Sequence, residues 1–274
     1  MRPFAKDRYN ARVAQSECED EAAQKLRYRA FCSNGRAADG VELDRDRYDV
    51  VCQHILIEGR SSGGLVCCFR ILPISDTMPI NASYSAQFYQ LSALKKFQGR
   101  MVEMGRFCIA PAIKDPDILR LAWAVMSRYV AQNNIRLLFG CSSFAGLDTG
   151  RYLDAFALLK ARDLAPARLR PREKAPGVFR FAARLGRSPD MKLAMARLPS
   201  LLKTYLMMGA GSVITPCWIL RWIHCMFLPR SKSGRFQSHA SGCCAPLRND
   251  RTALTFGVWR GSGSYGTHTF ITTQ

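Results

Sequence analysis

The stretch VEMGRFCIAPAIKDPDILRLAWAVMSRYVAQNNIRLLFGCSSFAGLD, Val102 to Asp148, constrains the fold more than any other part of the chain. Its first run, RMVEMGRFCIA (Arg100–Ala110), reads as an apolar strand, and IRLLFGC from Ile135 reads as a second. Between them PDILRLAWAVMSRYVAQNN carries Ile118, Leu121, Ala122, Val125, Met126 and Tyr129 at helical spacing. Pro111 and Pro116 bracket the entry loop, Asp115 or Asp117 can cap the helix, and an Asn pair ends it. Two strands joined by a helical crossover lie side by side and parallel, because no hairpin can connect them that way.

The remaining segments supply antiparallel neighbours. Glu19 to Cys32 has helical periodicity. DVVCQHILIEG is a strand ending near Glu58, Ser61–Gly64 is a turn, and LVCCFRILPI (Leu65–Ile74) is the partner strand. RYLDAFALLKARD is helical, LAPARLRPREKAPG is a basic proline-rich loop, and LPSLLKTYLMMG is a last amphipathic helix. The order predicts one α/β domain: a mixed central sheet flanked by helices.

Glu103 and Arg106 are out of place in a buried strand. Read from the residues alone, they can be an ordinary edge pair. Strand alternation puts residues three apart on opposite faces. Arg70, also in an apolar strand, needs a partner, because an unpaired buried charge costs several kcal/mol, roughly 3–5. LDRDRYD (Leu43–Asp49) is either a solvated acidic turn or part of an ion-pair network with Arg70, Arg29 or Arg106. Phe31, Phe69 and Phe88 suit a core or an apolar pocket, and His54 suits a hydrogen-bonded strand position.

The chain has 274 residues, 40 basic against 21 acidic, a formal net charge of +19. Such a surface favours an acidic partner: nucleic acid, an anionic membrane face or an acidic protein. No helix-turn-helix, RNA-binding strand motif or zinc finger is present, which argues against nucleic acid. The eleven cysteines are scattered, several within apolar runs, and no secretory h-region opens the sequence. Reduced thiols in a cytoplasmic protein are the expectation. Cys67–Cys68 and Cys243–Cys244 lack zinc-ligand spacing and there are 4 His, so no metal is expected. No apolar run reaches the ~20 residues that span a bilayer.

Six motifs in order carry a family resemblance: RYRAF (Arg27–Phe31), LDRDRYD, FRILP (Phe69–Pro73), FYQLSAL (Phe88–Leu94), EMGRFCIAP (Glu103–Pro111) and LFGCSSFAGLD (Leu138–Asp148). Together they resemble the bacterial ornithine–acyl-ACP N-acyltransferases, GNAT-like enzymes that make lyso-ornithine lipid. The pattern is distantly similar to the acyl-homoserine lactone synthases. LAPARLRPR and LPSLLKTYLMMGA continue the ornithine-acyltransferase pattern, and the resemblance covers roughly Ala22 to Ala210.

The resemblance implies a GNAT-like fold in which Val102–Ala110 and Arg136–Cys141 are parallel strands splayed apart at one end. Phe107, Cys108, Ile109, Ala110, Cys141, Ser142 and Ser143 would line the acyl and pantetheine path, with N–H groups near Cys108 to Ala110 facing the thioester oxygen. Glu103 would take the proton of the incoming amine. Arg106 would pair with Asp46 or Asp49, or hold the substrate carboxylate. Arg29, Phe31, Asp46, Asp49, Arg70 and Phe88 would shape the acceptor site.

The donor follows from an absence. Acetyl-CoA-using relatives hold the diphosphate in a Gly-rich loop at the entrance to the central helix, where this chain reads APAIKDPDIL. Acyl carrier protein, with one phosphodiester and an acidic face, fits better, and no separate cofactor is required. Lys95, Lys96, Arg100, Lys114 and Arg128 are the docking candidates. The expected substrate is L-ornithine. The expected place is the cytoplasm, with peripheral contact to anionic headgroups through Arg168, Arg170, Arg172 and Lys174. The alternatives are an autoinducer synthase using S-adenosylmethionine and a non-catalytic binder of nucleic acid or membrane surfaces.

After Ala210 the composition shifts: seven basic residues stand against one acidic, with three of the four Trp. One codon choice for Val213 to Phe227, read from its third base, gives DHAVLDTEMDTLHV, which resembles the acidic loop and closing strand of the family. The acyltransferase domain is therefore expected to end at residue 209, with a frame-shifted or disordered tail over 210–274. Such a tail would leave the acceptor side of the cleft uncovered and the enzyme impaired.

Overall fold

The computed structural model describes residues 4–6, 8–32, 42–146, 148–175, 185–186, 188–207, 210–212, 217–219 and 222–229. The elements begin with β1 (Phe4–Lys6), β2 (Tyr9–Val13), α1 (Glu17–Cys32), β3 (Gln53–Gly59) and β4 (Leu65–Ile74). They continue with β5 (Tyr89–Gln90), α2 (Ser92–Lys95), β6 (Arg100–Ile109), α3 (Pro116–Gln132), β7 (Ile135–Ala145), α4 (Leu153–Arg162) and β8 (Arg172–Glu173). The last are α5 (Met191–Arg197), α6 (Ser200–Met207), β9 (Ala210–Ser212), β10 (Cys217–Ile219) and β11 (Trp222–Pro229). Among the described residues, nine strands form one sheet in the order β1-β2-β3-β4-β6-β7-β11-β10, with β9 against β11.

The expected parallel pair is β6 and β7, in register from Arg100↔Ile135 to Met104↔Gly140. Every other pairing in that sheet is antiparallel. Beyond Met104 the two central strands run on without pairing to each other: β6 stays on β4 as far as Ile109, and β7 turns its outer edge to β11. The splay of the fold is therefore local, starting beyond the Met104↔Gly140 pair, next to Glu103.

The crossover helix α3 starts as its sequence dictates. Asp115 is the N-cap, its carboxylate accepting the Asp117 N–H, with Pro116 in the first turn. Asn134 follows with φ 53°, a left-handed position that Asn tolerates better than most residues. The buried stripe Ile118, Leu121, Ala122, Val125, Met126 and Tyr129 packs on one face of the sheet with Phe156 of α4 and Leu202 and Tyr205 of α6. On the opposite face α1 covers Cys68 and Cys108 through Ala23 and Leu26, and the segment before β6 packs Ile80, Leu91 and Leu94 against Leu137 and Phe139.

Several elements differ from the sequence reading. β1 and β2 were not expected, since NARV shows no clean alternation; β2 belongs to the sheet by pairing with β3. The strand before the hairpin begins at Gln53, because Tyr48–Cys52 forms a hydrogen-bonded turn. α5 was also missed, and residues 172–173 of the basic loop pair with β5. The boundary expected at residue 209 falls inside the sheet: β9, β10 and β11 extend it, with β11 antiparallel to β7 from Trp222↔Ala145 to Phe227↔Gly140. Residues 230–274 of the expected tail lie outside the described residues.

The strongest tie between α1, the acidic turn and the sheet is a buried ion network. Arg27 of α1 is fully buried. Its Nε donates to Asp44 Oδ2 at 2.9 Å, and its Nη1 and Nη2 donate to the two Asp49 oxygens at 2.8 and 3.0 Å. Arg70 of β4 donates through Nη1 to Asp46 Oδ1 at 2.6 Å and Asp49 Oδ1 at 2.8 Å. The turn 44–49 is therefore an ion-pair element and not a solvated one. His54, on β3, is the hydrogen-bonded strand histidine expected, with Nε2 3.1 Å from the Asp49 carbonyl.

Burial pushes the Asp49 carboxyl up, but the Arg27 fork, the Asp46 N–H and the two guanidinium charges more than reverse this, so it sits well below the ordinary range. A carboxyl depressed in the native state stabilises fully above its unfolded value of 3.8 and loses that contribution as pH falls through the native value. Arg27→Met leaves Asp49 buried with one partner fewer. It is expected to lower the unfolding free energy by about 3–5 kcal/mol in urea titrations near neutral pH. The deficit should shrink on acidification, as Asp49 protonates in both states.

Candidate active site

β6 cannot bury Glu103 without donors for its carboxylate. The donors come from the segment between β4 and β6, where a short 3-10 turn, Ser85–Gln87, starts beneath the strand with Tyr84 at its N-cap. The first N–H groups of a helical turn have no internal partner. Here Tyr84 N–H donates to Glu103 Oε2 at 2.8 Å and Ser85 N–H to Oε1 at 2.7 Å. The Ser85 hydroxyl adds a third bond to Oε1 at 2.5 Å. Glu103 is buried, and burial holds its carboxyl above the ordinary value despite these three bonds. A carboxylate raised towards neutrality and fixed in place suits general-base chemistry.

Arg106 lies on the same side as Glu103, contrary to strand alternation. The reason is a bulge. Opposite β4, the register steps from Arg70↔Gly105 to Cys68↔Cys108, and Arg106 has φ 52°, a left-handed conformation unusual for arginine. The extra residue re-aims its side chain into the acidic turn: Nη2 lies 3.1 Å from Asp46 Oδ2 and Nε 3.3 Å from Asp44 Oδ2. The guanidinium sits 5.3 Å from the centroid of the Tyr84 ring, and Tyr84 N–H serves Glu103. Arg106 is a quarter exposed and is the outermost guanidinium of the network.

Of the expected site residues, the fold brings Glu103, Arg106, Asp46, Asp49 and Arg70 together, with Phe88 edge-on to Tyr84 at 5.4 Å. It does not bring Arg29, which is exposed on α1; Arg27, two residues earlier in the same motif, takes the buried place. Phe31 packs half-buried beside Cys68 and Cys108. Phe107 belongs to the α3 face, stacked on Phe69 at 5.9 Å, because the bulge turned it away from Glu103. Phe69 is likewise core.

At the gap, the Ala110 N–H is taken by the Val66 carbonyl at 2.8 Å. Alternate residues of a strand direct their main-chain groups to opposite edges. Of the three expected oxyanion donors, then, Ile109 is the one aimed at the gap, and Cys108, whose side chain touches Cys68 at 3.5 Å, faces β4 like Ala110. Cys141 is half-buried on the Glu103 side with its sulfur 3.4 Å from Ser85 Oγ. Ser142 is buried, and Ser143, half-buried, lies opposite His224 of β11.

The five docking candidates do not form one patch. Lys95, Lys96 and Arg100 precede or begin β6, and Arg100 binds the Asn133 carbonyl at the far end of α3, near Arg128. Lys114 follows the other end of β6, about 30 Å away for ten extended residues. At that open end stand Arg8 and Arg60, whose backbones are joined at 2.8 Å.

Sequence reasoning missed Arg27, Asp44, Tyr84 and Ser85. Arg27 was within reach, since Ala23, Leu26, Arg27 and Ala30 share a helical stripe. No local signal marks Ser85, which is defined by a partner 18 residues away. Among the described residues no group of acids, His and Cys could hold a metal, and no helix is long and apolar enough to cross a membrane.

Residues 26–124 match the family model described as an acetyltransferase (GNAT) domain. The chain is 28% identical over 211 residues to the L-ornithine N(alpha)-acyltransferase of Rhodobacter capsulatus, covering 73% of this chain and 81% of that one. It is 29% identical over 223 residues to the enzyme of the same name from Rhizobium meliloti, covering 73% and 71%. Among solved structures it is similar to FeeM, an N-acyl amino acid synthase from uncultured soil microbes, at a TM-score of 0.38 and 15% identity, covering 51% of this chain and 72% of that one. It is also similar to the CoA-dependent acyl-homoserine lactone synthase BjaI at a TM-score of 0.44 and 11% identity, covering 80% and 79%. With that domain matched and its relatives sharing one activity along most of its length, the chain is an acyltransferase with a GNAT-type fold.

Proposed function

We propose that the chain transfers a 3-hydroxyacyl group from acyl carrier protein to the α-amine of L-ornithine, giving lyso-ornithine lipid. The observation that carries this reading is the buried Glu103 carboxylate beside the point where β6 and β7 part. The names of the curated relatives support ornithine as acceptor. The pantetheine arm lies along the unpaired edge of β6 past Met104, as an added strand would. The α-ammonium of the acceptor gives one proton to Glu103, and the freed nitrogen attacks the thioester carbon. Negative charge develops on the carbonyl oxygen, where the Ile109 N–H can donate. The C–S bond then breaks, the nitrogen gives up its second proton to the departing carrier thiolate, and the amide remains. Arg106, a quarter exposed, offers its guanidinium to the acceptor carboxylate.

The N-terminus of α3 supports a carrier-borne donor over a nucleotide one. Its capping site already holds a carboxylate: Asp115 accepts from the Asp117 N–H at 3.0 Å, the Tyr9 hydroxyl at 2.6 Å and Arg8 at 2.6 Å. A diphosphate approaching there meets fixed negative charge. Lys114, Arg8 and Arg60 at the same end suit the acidic face of a carrier protein. Release of a lipid product places the enzyme at an anionic membrane surface. There Met191, Leu193 and Met195 of α5, exposed beside Lys192 and Arg197, are the contact residues.

Two outcomes test this. Purified protein with 3-hydroxyacyl carrier protein and L-ornithine is expected to form N-acyl-ornithine by mass spectrometry, and Glu103→Gln to lose about 10²–10⁴ in rate while still folding. No acyl transfer to any amino acid would defeat the assignment. The coenzyme A thioester of the same acyl group is expected to give a kcat/KM about tenfold lower or worse, with the carrier reaction slowed by added salt.

A further inference from the structure

The hydrogen bonds around Glu103 are unequally shared. A carboxylate oxygen has two lone-pair sites. Oε1 is filled by the Ser85 N–H at 2.7 Å and the Ser85 hydroxyl at 2.5 Å, whereas Oε2 accepts, among the described residues, one bond, from Tyr84 N–H at 2.8 Å. The direction of the hydroxyl is fixed by chemistry, since an ionised Glu103 has no proton to give. Cys141 Sγ, 3.4 Å from Ser85 Oγ, is then the donor of its own contact. The chain runs one way, from the Cys141 thiol to the Ser85 hydroxyl to Glu103 Oε1. Ser85 is fully buried, so water does not substitute for it.

We propose that Ser85 is a positioning residue for acyl transfer: its amide and hydroxyl pin Oε1 of Glu103 and leave one open acceptor site, on Oε2, for the incoming α-amine. This rests on the reading of Glu103 as the base. The charged and titratable groups facing Glu103 from the elements around it are Arg70 of β4, Cys52 ahead of β3, Cys141 of β7 and Tyr84, with Arg106 beyond the Tyr84 ring. None of the others gives a side-chain hydrogen bond to the carboxylate. Burial raises the Glu103 carboxyl, and the Ser85 hydroxyl is the largest of the effects that restrain it.

Removing a donor to the carboxylate favours its protonated form, so the acid limb of kcat/KM moves to higher pH. With the full chain, acyl carrier protein thioester and L-ornithine, Ser85→Ala is expected to lower kcat/KM about tenfold at neutral pH. The loss should lie in kcat more than KM, and activity should recover towards wild type on the alkaline side. Ser85→Cys, a weaker donor of nearly the same size, is expected to place the limb between the two. Circular dichroism and thermal melting check folding, and if the Ala variant is unfolded the limb of the Cys variant decides. A limb unmoved in the folded variant overturns the role of Ser85, whatever its rate. If Glu103→Gln keeps full activity, the base assignment falls instead, so the two failures are distinct.

Discussion

A carboxylate placed at the centre of a sheet has to find hydrogen-bond donors there, and the site grows out of how Glu103 finds them. The strand that carries it is paired on both edges at that point, to Leu72 and to Phe139, so its neighbours in the sheet offer nothing to its side chain. The donors come from the start of a 3-10 turn folded beneath the strand. Two amides and one hydroxyl satisfy the carboxylate with, among the described residues, no opposing charge at hydrogen-bond distance. An ion pair there would hold the group firmly ionised and depress its basicity; amide and hydroxyl donors fix it in place while burial keeps it ready to accept a proton. The same turn brings Tyr84, whose ring faces Arg106, so one short segment connects Glu103 to the cationic side of the site.

The second constraint is charge balance. Arg27, Arg70 and Arg106 meet Asp44, Asp46 and Asp49, three cations against three anions, with Arg27, Arg70 and Asp49 nearly out of water. Such a cluster adds less net stability than a packed apolar core would, but losing any member leaves its partners unpaired. Its value here is positional. It fastens the acidic turn to β4 and α1 and leaves Arg106, on its bulge, as the member turned towards solvent. The bulge and the splay are neighbouring events on β6: pairing to β7 stops at Met104, and the extra residue enters two positions later. A strand that has lost one partner can absorb a left-handed residue at lower cost, and the re-aimed arginine arrives beside the gap the thioester would occupy.

Much of the architecture was legible in the order of the residues. The apolar runs around Glu103 and Ile135, with a capped amphipathic helix between them, required a parallel pair, and the hairpin at Gly63–Gly64 supplied the antiparallel neighbour. Arg70 in an apolar strand demanded a carboxylate, and Asp46 and Asp49 were the ones found. The choice of Arg29 over Arg27 was an error of helical phase that the flanking Ala23, Leu26 and Ala30 could have corrected. The strands after residue 209 were not legible, because β11 pairs with β7, far away along the chain, β9 and β10 join the sheet only through β11, and their own periodicity is weak.

By itself, then, the sequence determined which segments become strands and helices, that two strands must run parallel, and that buried charges must be matched, because periodicity, capping and the cost of unpaired charge act over short stretches of chain. The tertiary structure alone decided which face Arg106 occupies, that the Ile109 amide and not its neighbours looks into the gap, and that Ser85 bonds the Glu103 carboxylate. Each of these depends on the register between strands or on a turn meeting a distant strand, and a one-residue shift in register reverses a side chain without leaving any local mark.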